Sequence, residues 1–270
     1  MLGTESALGT TLLEREGIRI KATRHGLMLY QPHDIYIGRC LDLYGEYSEL
    51  EVALLNQIVT PGMVVIDVGA NIGAHTIFFA AATGPKGLVI AYEPQRIIHQ
   101  ILCANLALNQ LSWVKALQAG AGARRGHAHV PLLDYGKANN FGGISLNSGV
   151  AGESIEVIPI DAFDLLACHL LKVDVEGMES EVLAGAAATI ARHRPVLYVE
   201  NDRRAKSPAL ITQLRSLGYD LYWHLPRLYN PDNYFGNATD VFGTIVSCNL
   251  LCVPSERQND IKGLRPVAGP

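Results

Sequence analysis

"VVIDVGANIGAHTIFFAAAT", residues 64–83, decides how the chain folds. An apolar run ends at Asp67, a loop holds Gly69, Asn71 and Gly73, and small and apolar residues follow at helical spacing. Strand, glycine loop and helix in that order form the first βα turn of an α/β sheet, where ligands collect at the carboxyl ends of the strands. The glycines let backbone approach a ligand closely. A dinucleotide fingerprint would read GxGxxG with a pyrophosphate at the helix start. This loop instead reads Gly-Ala-Asn-Ile-Gly behind Asp67, an acid that repels a pyrophosphate and suits an ammonium group.

A second acid, Glu93 in "VIAYEP", ends the next apolar run, where a carboxylate can accept hydrogen bonds from both hydroxyls of a ribose. An ammonium site beside a ribose site describes a nucleoside with an amino-acid tail, S-adenosylmethionine. The plainer alternative is that Asp67 and the glycines only make a tight turn.

Composition narrows the classes. The 270 residues are 49% apolar with a formal net charge of −4, as in one globular domain with terminal embellishments. Lys and Arg are scattered, with pairs such as Arg124-Arg125 but no run, so neither a nucleic-acid track nor a polybasic membrane anchor is expected. The N-terminus lacks the pattern of a secretory signal, and no stretch approaches the about 18 uninterrupted apolar residues of a membrane helix. The expected compartment is cytoplasmic. Five cysteines form no CxxC pair and suit reduced thiols rather than a disulfide framework or a zinc site.

Strand-like runs alternate with helical patterns, the signature of βαβ units and a mostly parallel sheet. Short strands are expected in "GIRIKATRHGLMLY" and "DIYIGRC", broken by Gly26 and Pro32. A helix over 47–59 buries Leu50, Leu54, Leu55 and Ile58, with Ser48 and Glu51 at capping-box spacing. Strands follow at 63–68, 88–93, 113–118, 127–133, 155–160, 170–175, 195–200, 219–224 and 243–253. Helices are expected at 73–83, 95–108, 161–167, 178–192 and 207–217, and a polar loop at 134–153.

The stretch "LLKVDVEGMESEVLAGAAATI", 170–190, supplies a second motif, and "RPVLYVEN", 194–201, a third. With "DVGANIG" these three resemble, over roughly residues 45–202, the FkbM-type family of S-adenosylmethionine-dependent methyltransferases. The resemblance implies a Rossmann-like class I methyltransferase fold with a seven-stranded, mostly parallel sheet whose last strand is antiparallel. It divides the chain into an N-terminal β extension (1–44), a methyltransferase domain (45–256) and a C-terminal tail (257–270). It also implies O-methylation of a small molecule, sugar or secondary metabolite, with a small-molecule or saccharide acceptor. A homo-oligomer is compatible with it. A nicotinamide-dependent oxidoreductase and a non-catalytic nucleoside-binding domain remain the alternatives.

The cofactor set expected is Asp67 near the ammonium, Gly69 and Gly73 as close approaches, Asn71 as a polar contact and Glu93 on the ribose. Gln118, in "ALQAGAG", stands where many methyltransferases carry an acid for the adenine amino group, so backbone groups would have to share that task. In "KVDVEG" strand alternation sends Asp174 and Glu176 to one side, at the edge where the methyl must be; capping of the next helix is the alternative for both. Asp174, Glu200 and Asn201 offer oxygens that suit Mg²⁺, which could lower the pKa of an attacking hydroxyl. Without a metal a base must take the proton, and histidine is the usual choice. His224 is the expected base beside Asp174 and Glu200, while His75 reads better as an ordinary histidine. The aromatic stretch 224–243 is expected to form a substrate wall or lid containing Asp232 and Asn233, with a plug over the sheet edge as the alternative.

Overall fold

The computed structural model describes residues 9–146, 151–258, 261–262 and 264–268. The chain opens on a three-stranded antiparallel sheet of Thr11–Arg15 (β1), Ile18–Thr23 (β2) and Gly26–Tyr30 (β3). Helices Ile37–Tyr44 (α1) and Glu49–Leu55 (α2) follow, then Val64–Val68 (β4), Ala74–Thr83 (α3), Leu88–Tyr92 (β5), Arg96–Leu108 (α4) and Val114–Leu117 (β6). Gly126–Pro131 (β7) and Gly152–Val157 (β8) pair as a separate hairpin. A 3₁₀ turn at Ile160–Ala162 leads into Leu170–Val173 (β9), Glu179–Ala184 (α5), Ala187–His193 (α6), Val196–Glu200 (β10) and Ser207–Ser216 (α7). Tyr219–His224 (β11), Asn249–Pro254 (β12) and Arg265–Pro266 (β13) complete the main sheet.

That sheet runs β13-β11-β12-β10-β9-β4-β5-β6. Neighbours from β10 to β6 are parallel, while β12 inserts antiparallel to both β10 and β11. The seven strands expected become eight, because β13, from the stretch read as a tail, pairs antiparallel with β11. Parallel strands buried on both faces are near-continuous apolar runs. Successive residues alternate sides: Val65, Val89 and Leu170 pack with α2, α3 and α4, while Ile66, Ile90 and Leu171 pack with α5, α6 and α7. Each such side chain contributes about 1.5–3 kcal/mol of burial.

Several expected elements need correction. "DIYIGRC" is not a strand: Ile37, Cys40, Leu41 and Tyr44 recur at helical spacing and are buried in α1. Asp34 Oδ1 starts that helix by accepting the backbone N–H of Tyr36 (2.9 Å) and Gly38 (3.1 Å). The helix expected at 161–167 is only the 3₁₀ turn, and the one at 178–192 divides in two. Both changes trace to Asp161, whose carboxylate accepts the N–H groups of Ala188 and Thr189 (2.8 Å each) and so founds α6. Gly185, at the break, lies so near the Gly122 carbonyl that a Cβ would come within 2.0 Å of its oxygen. The strand expected from 243 begins only at Asn249. Of the 134–153 loop, residues 147–150 lie outside the described residues, as do residues 1–8 of the N-terminus.

The order of strands reverses at β4, with β5 on one side and β9 on the other. The carboxyl ends of β4, β5, β9 and β10 therefore bring the glycine loop, Glu93, Asp174 and Glu200 to one edge, the location expected for a ligand.

Candidate active site

At that edge lies a cavity of about 220 Å³. The glycine loop, Glu51 of α2, the start of α1 and residues 245–249 enclose it, together with Asn140 and Gly142 from the loop after β7. A second cavity, lined by Tyr92, Ala119, Ala121, Ile144 and Leu146, shares Gly69, Glu93, Gly142, Asp174 and Glu176 with the first. The two are compartments of one cleft, the first more polar and the second more apolar.

Gly69 has φ +80°, and a Cβ on it would stand 1.8 Å from the Asp174 carbonyl oxygen. Only glycine lets the loops after β4 and β9 touch here. The N–H groups of Gly69 and Ala70 donate to Tyr92 O (3.1 and 2.9 Å). Asn71, itself at φ +51°, lines the polar compartment and donates its N–H to Glu93 Oε2 (2.9 Å). Glu93 Oε1 accepts from Gln95 N (2.8 Å). Glu93 thus ties the glycine loop to the start of α4, and each oxygen keeps a lone pair free. Burial pushes its carboxyl up to about 7 against the pull of those two N–H donors.

Gly73 lines neither compartment. A Cβ there would meet Leu102 Cδ1 at 2.6 Å, so it serves the packing of α3 on α4. Asp67 does not line the cleft either: it is 0% exposed, accepting from Thr76 Oγ1 (2.7 Å) and pairing with Lys172 Nζ at 3.4 Å. The cavity meets Lys172 instead, whose Nζ also lies 3.3 Å from Asp174 Oδ2. Burial would lower the Lys172 ammonium, but Asp174, Asp67 and Glu51 hold it above the ordinary lysine value.

The floor of the polar compartment holds Glu51, His75 and Asn249. Ser48 Oγ donates to Glu51 Oε1 at 2.6 Å, so the expected capping pair bonds side chain to side chain. Burial works to raise Glu51, yet His75, Ser48, Ser247 and Lys172 keep it below the ordinary value. Burial lowers the His75 imidazole, with Glu51 opposing.

On the opposite wall stand Glu176, Glu200 and Asp202, with one carboxylate oxygen of each within 4.8 Å of the others. Burial, then Asp174 and Glu176, pushes Glu200 up to about 10; burial and Asp174 push Glu176 to about 7 although Arg203 pairs with it. The metal set expected from the sequence does not assemble. The carboxylates that come together are Glu176, Glu200 and Asp202 rather than Asp174, and Asn201 turns its amide to Ser207 Oγ (3.0 Å) and lines neither compartment.

Two further expectations change. His224 lines neither compartment; its Nδ1 lies 2.8 Å from the Tyr198 hydroxyl, beneath the floor. Gln118 is exposed and also lies outside both, while its neighbours Ala119, Gly120 and Ala121 line the apolar one. The 224–243 stretch is fastened to the N-terminal part of the chain. Asn230 Nδ2 and Tyr234 N donate to Glu46 (2.8 Å each), Tyr229 packs edge-on against Tyr44, and Asn233 bonds within its own loop. Asp232 and Asn233 do not reach the cleft; from this connection Leu228 and residues 245–248 form its wall.

Sequence alone assigns no site role to Lys172, Glu51 or Asn249, although two of them leave a signal. Lys172 is the one charge in the strand LLKV, and it pairs in register with Asp67 of β4. Glu51 shares a helical face with Leu54, Leu55 and Ile58, where an acid is out of place.

A model of the "Methyltransferase FkbM domain" matches residues 67–221, more than half of the chain. Methyltransferase sdnD of Sordaria araneosa is 40% identical over 63 residues, covering 23% of this chain and 24% of that protein. Methyltransferase 1 of Beauveria bassiana is 28% identical over 145 residues, covering 45% and 57% respectively. The chain thus spans less than two thirds of the length of the curated relatives it matches. The crystal structure of a methyltransferase FkbM from Methylobacillus flagellatus is similar with a TM-score of 0.49 at 22% identity, covering 72% of this chain and 48% of that one. Three ordered motifs on one sheet edge and the domain match agree: the chain belongs to the FkbM family of methyltransferase domains.

Proposed function

We propose that the protein is an S-adenosylmethionine-dependent methyltransferase that methylates a hydroxyl of a small molecule, sugar or secondary metabolite. The observation that carries this reading is the two-part cleft joined at Glu93. The adenine is assigned to the compartment lined by Ala119, Gly120, Ala121, Ile144 and Leu146, and the ribose to Glu93, whose oxygens keep acceptor capacity. The amino-acid end then reaches the polar compartment through the glycine loop. Its ammonium meets the carboxylates there rather than Asp67, which Lys172 screens from the cavity.

When bound, the cofactor supplies an electrophilic methyl, so the chain has chiefly to align a nucleophile and accept a proton. Asp174 stands where the compartments meet and lines the path between them. Mg²⁺ has no part in this reading, since Asn201 lines neither compartment and Asp174 does not join Glu176, Glu200 and Asp202. A cytoplasmic setting is proposed from the sequence, whose five cysteines form no CxxC pair. Among the described residues no helix is long and apolar enough to cross a membrane.

The test is incubation with S-adenosylmethionine carrying a tritiated methyl, offered neutral polyols, phenols, amines and carboxylates of matched size. Label in an ether product is the expected result. Label confined to amines would move the reaction to nitrogen.

A further inference from the structure

We propose that His75 takes the proton of the reacting hydroxyl at Nε2, and that Glu51 and Asn249 complete with it a subsite for a neutral hydroxylated group; this rests on the methyltransferase reading above. His75 is 6% exposed and Asn249 4% exposed, yet both line the polar compartment. His75 Nε2 is buried with no hydrogen-bond partner among the described residues, and Asn249 Nδ2, near the Tyr198 hydroxyl, makes no hydrogen bond of good geometry. A buried polar atom left unpaired is costly, so a ligand that donates to one and accepts from the other recovers both bonds. An alcohol with a neighbouring oxygen does both.

The setting suits proton transfer. His75 lies in the first turn of α3, where the helix end disfavours an imidazolium. Burial and the ammonium of Lys172 press the same way, while Glu51, Asp67 and Asp174 oppose, and the Tyr47 ring lies 5.7 Å from the imidazole. The resting ring is therefore neutral and able to accept. Glu51, held ionised, stabilises the imidazolium once formed. In the step the hydroxyl oxygen forms the new O–C bond, the C–S electron pair stays on sulfur, and the O–H proton moves to Nε2 and later to water. Glu51 and Asp174 face the cavity with one already paired lysine, which favours a neutral acceptor over an anionic one.

The test begins with the tautomer. In ¹⁵N-histidine NMR of the whole protein saturated with S-adenosylhomocysteine, with His75→Gln for assignment, His75 is expected at pH 7.5 as the Nδ1–H form with a bare Nε2. An Nε2–H tautomer or an imidazolium at that pH would overturn the proposal. With any acceptor that takes label, His75→Gln should lower kcat by about 100- to 10,000-fold and remove the ascending limb of the pH profile. KM and homocysteine-nucleoside affinity should stay within about threefold of wild type. An unchanged kcat overturns the proposal, and wild-type protein that binds no S-adenosylhomocysteine contradicts the methyltransferase reading beneath it.

Discussion

Asp67 of β4 and Lys172 of β9 are register partners, and their charged ends stand 3.4 Å apart with 0% and 3% side-chain exposure. The pair bolts the two strands together at the switch point, under the glycine loop. Removing one member of a buried pair strands the other charge, at a cost of about 3–5 kcal/mol. Lys172→Met is expected to destabilise by that amount in urea unfolding. Adding Asp67→Asn should restore much of the loss; equal stability of wild type and the single variant would show that the pair holds nothing.

Gly69→Ala places a Cβ 1.8 Å from Asp174 O at a φ of +80°. The strain alone costs about 1–3 kcal/mol, and the clash adds to it by pushing the loops after β4 and β9 apart. A wild-type melting temperature for this variant would contradict the close approach.

Three carboxyls of the cleft, Glu93, Glu176 and Glu200, are raised by burial to about 7, 7 and 10. In the unfolded chain they titrate near 4.5, the ordinary value for the group, so between that pH and their folded values the folded state binds more protons. Stability then falls as pH rises. Unliganded protein is expected to melt at a lower temperature at pH 9 than at pH 6, and Glu200→Gln should flatten that slope. A profile that Glu200→Gln leaves equally steep would refute the assignment.

Much of this site is legible in the amino-acid sequence. The glycine loop, Glu93, Asp174 and Glu200 are readable because strand ends fix where a carboxylate goes; the alternation expected to align Asp174 with Glu176 does not apply, since β9 stops at Val173 and Glu176 has φ +56°. What stays hidden depends on long-range partners. Asp161 divides a helix 27 residues away by capping it, and Lys172 takes Asp67 out of the cleft. Asn201 has the chemistry of a metal ligand beside Glu200, but its side chain turns to Ser207 and lines neither compartment of the cleft. His75 reads as an ordinary helix residue and Glu51 as a capping partner, because only the fold brings α2, α3 and β12 together into one floor. The α1 helix is different: its 3-4 spacing of apolar residues is present in the sequence, and the neighbouring Pro32 masks it.

Asp174→Asn keeps the shape of its strand end but weakens the tie to Lys172. Turnover should fall by more than the affinity for S-adenosylhomocysteine does. If the variant unfolds instead, the residue is structural and its place between the compartments is incidental.

Calorimetric titration of wild type and Glu93→Ala with S-adenosylhomocysteine, and of wild type with NAD, decides whether Glu93 holds the ribose of this cofactor. Micromolar binding of the homocysteine nucleoside, no comparable binding of NAD, and a loss of about 1.5–3 kcal/mol in the folded variant are expected, the last from charge-assisted hydrogen bonds to the ribose. Tight NAD binding, or an affinity for S-adenosylhomocysteine that Glu93→Ala leaves unchanged, would contradict the account.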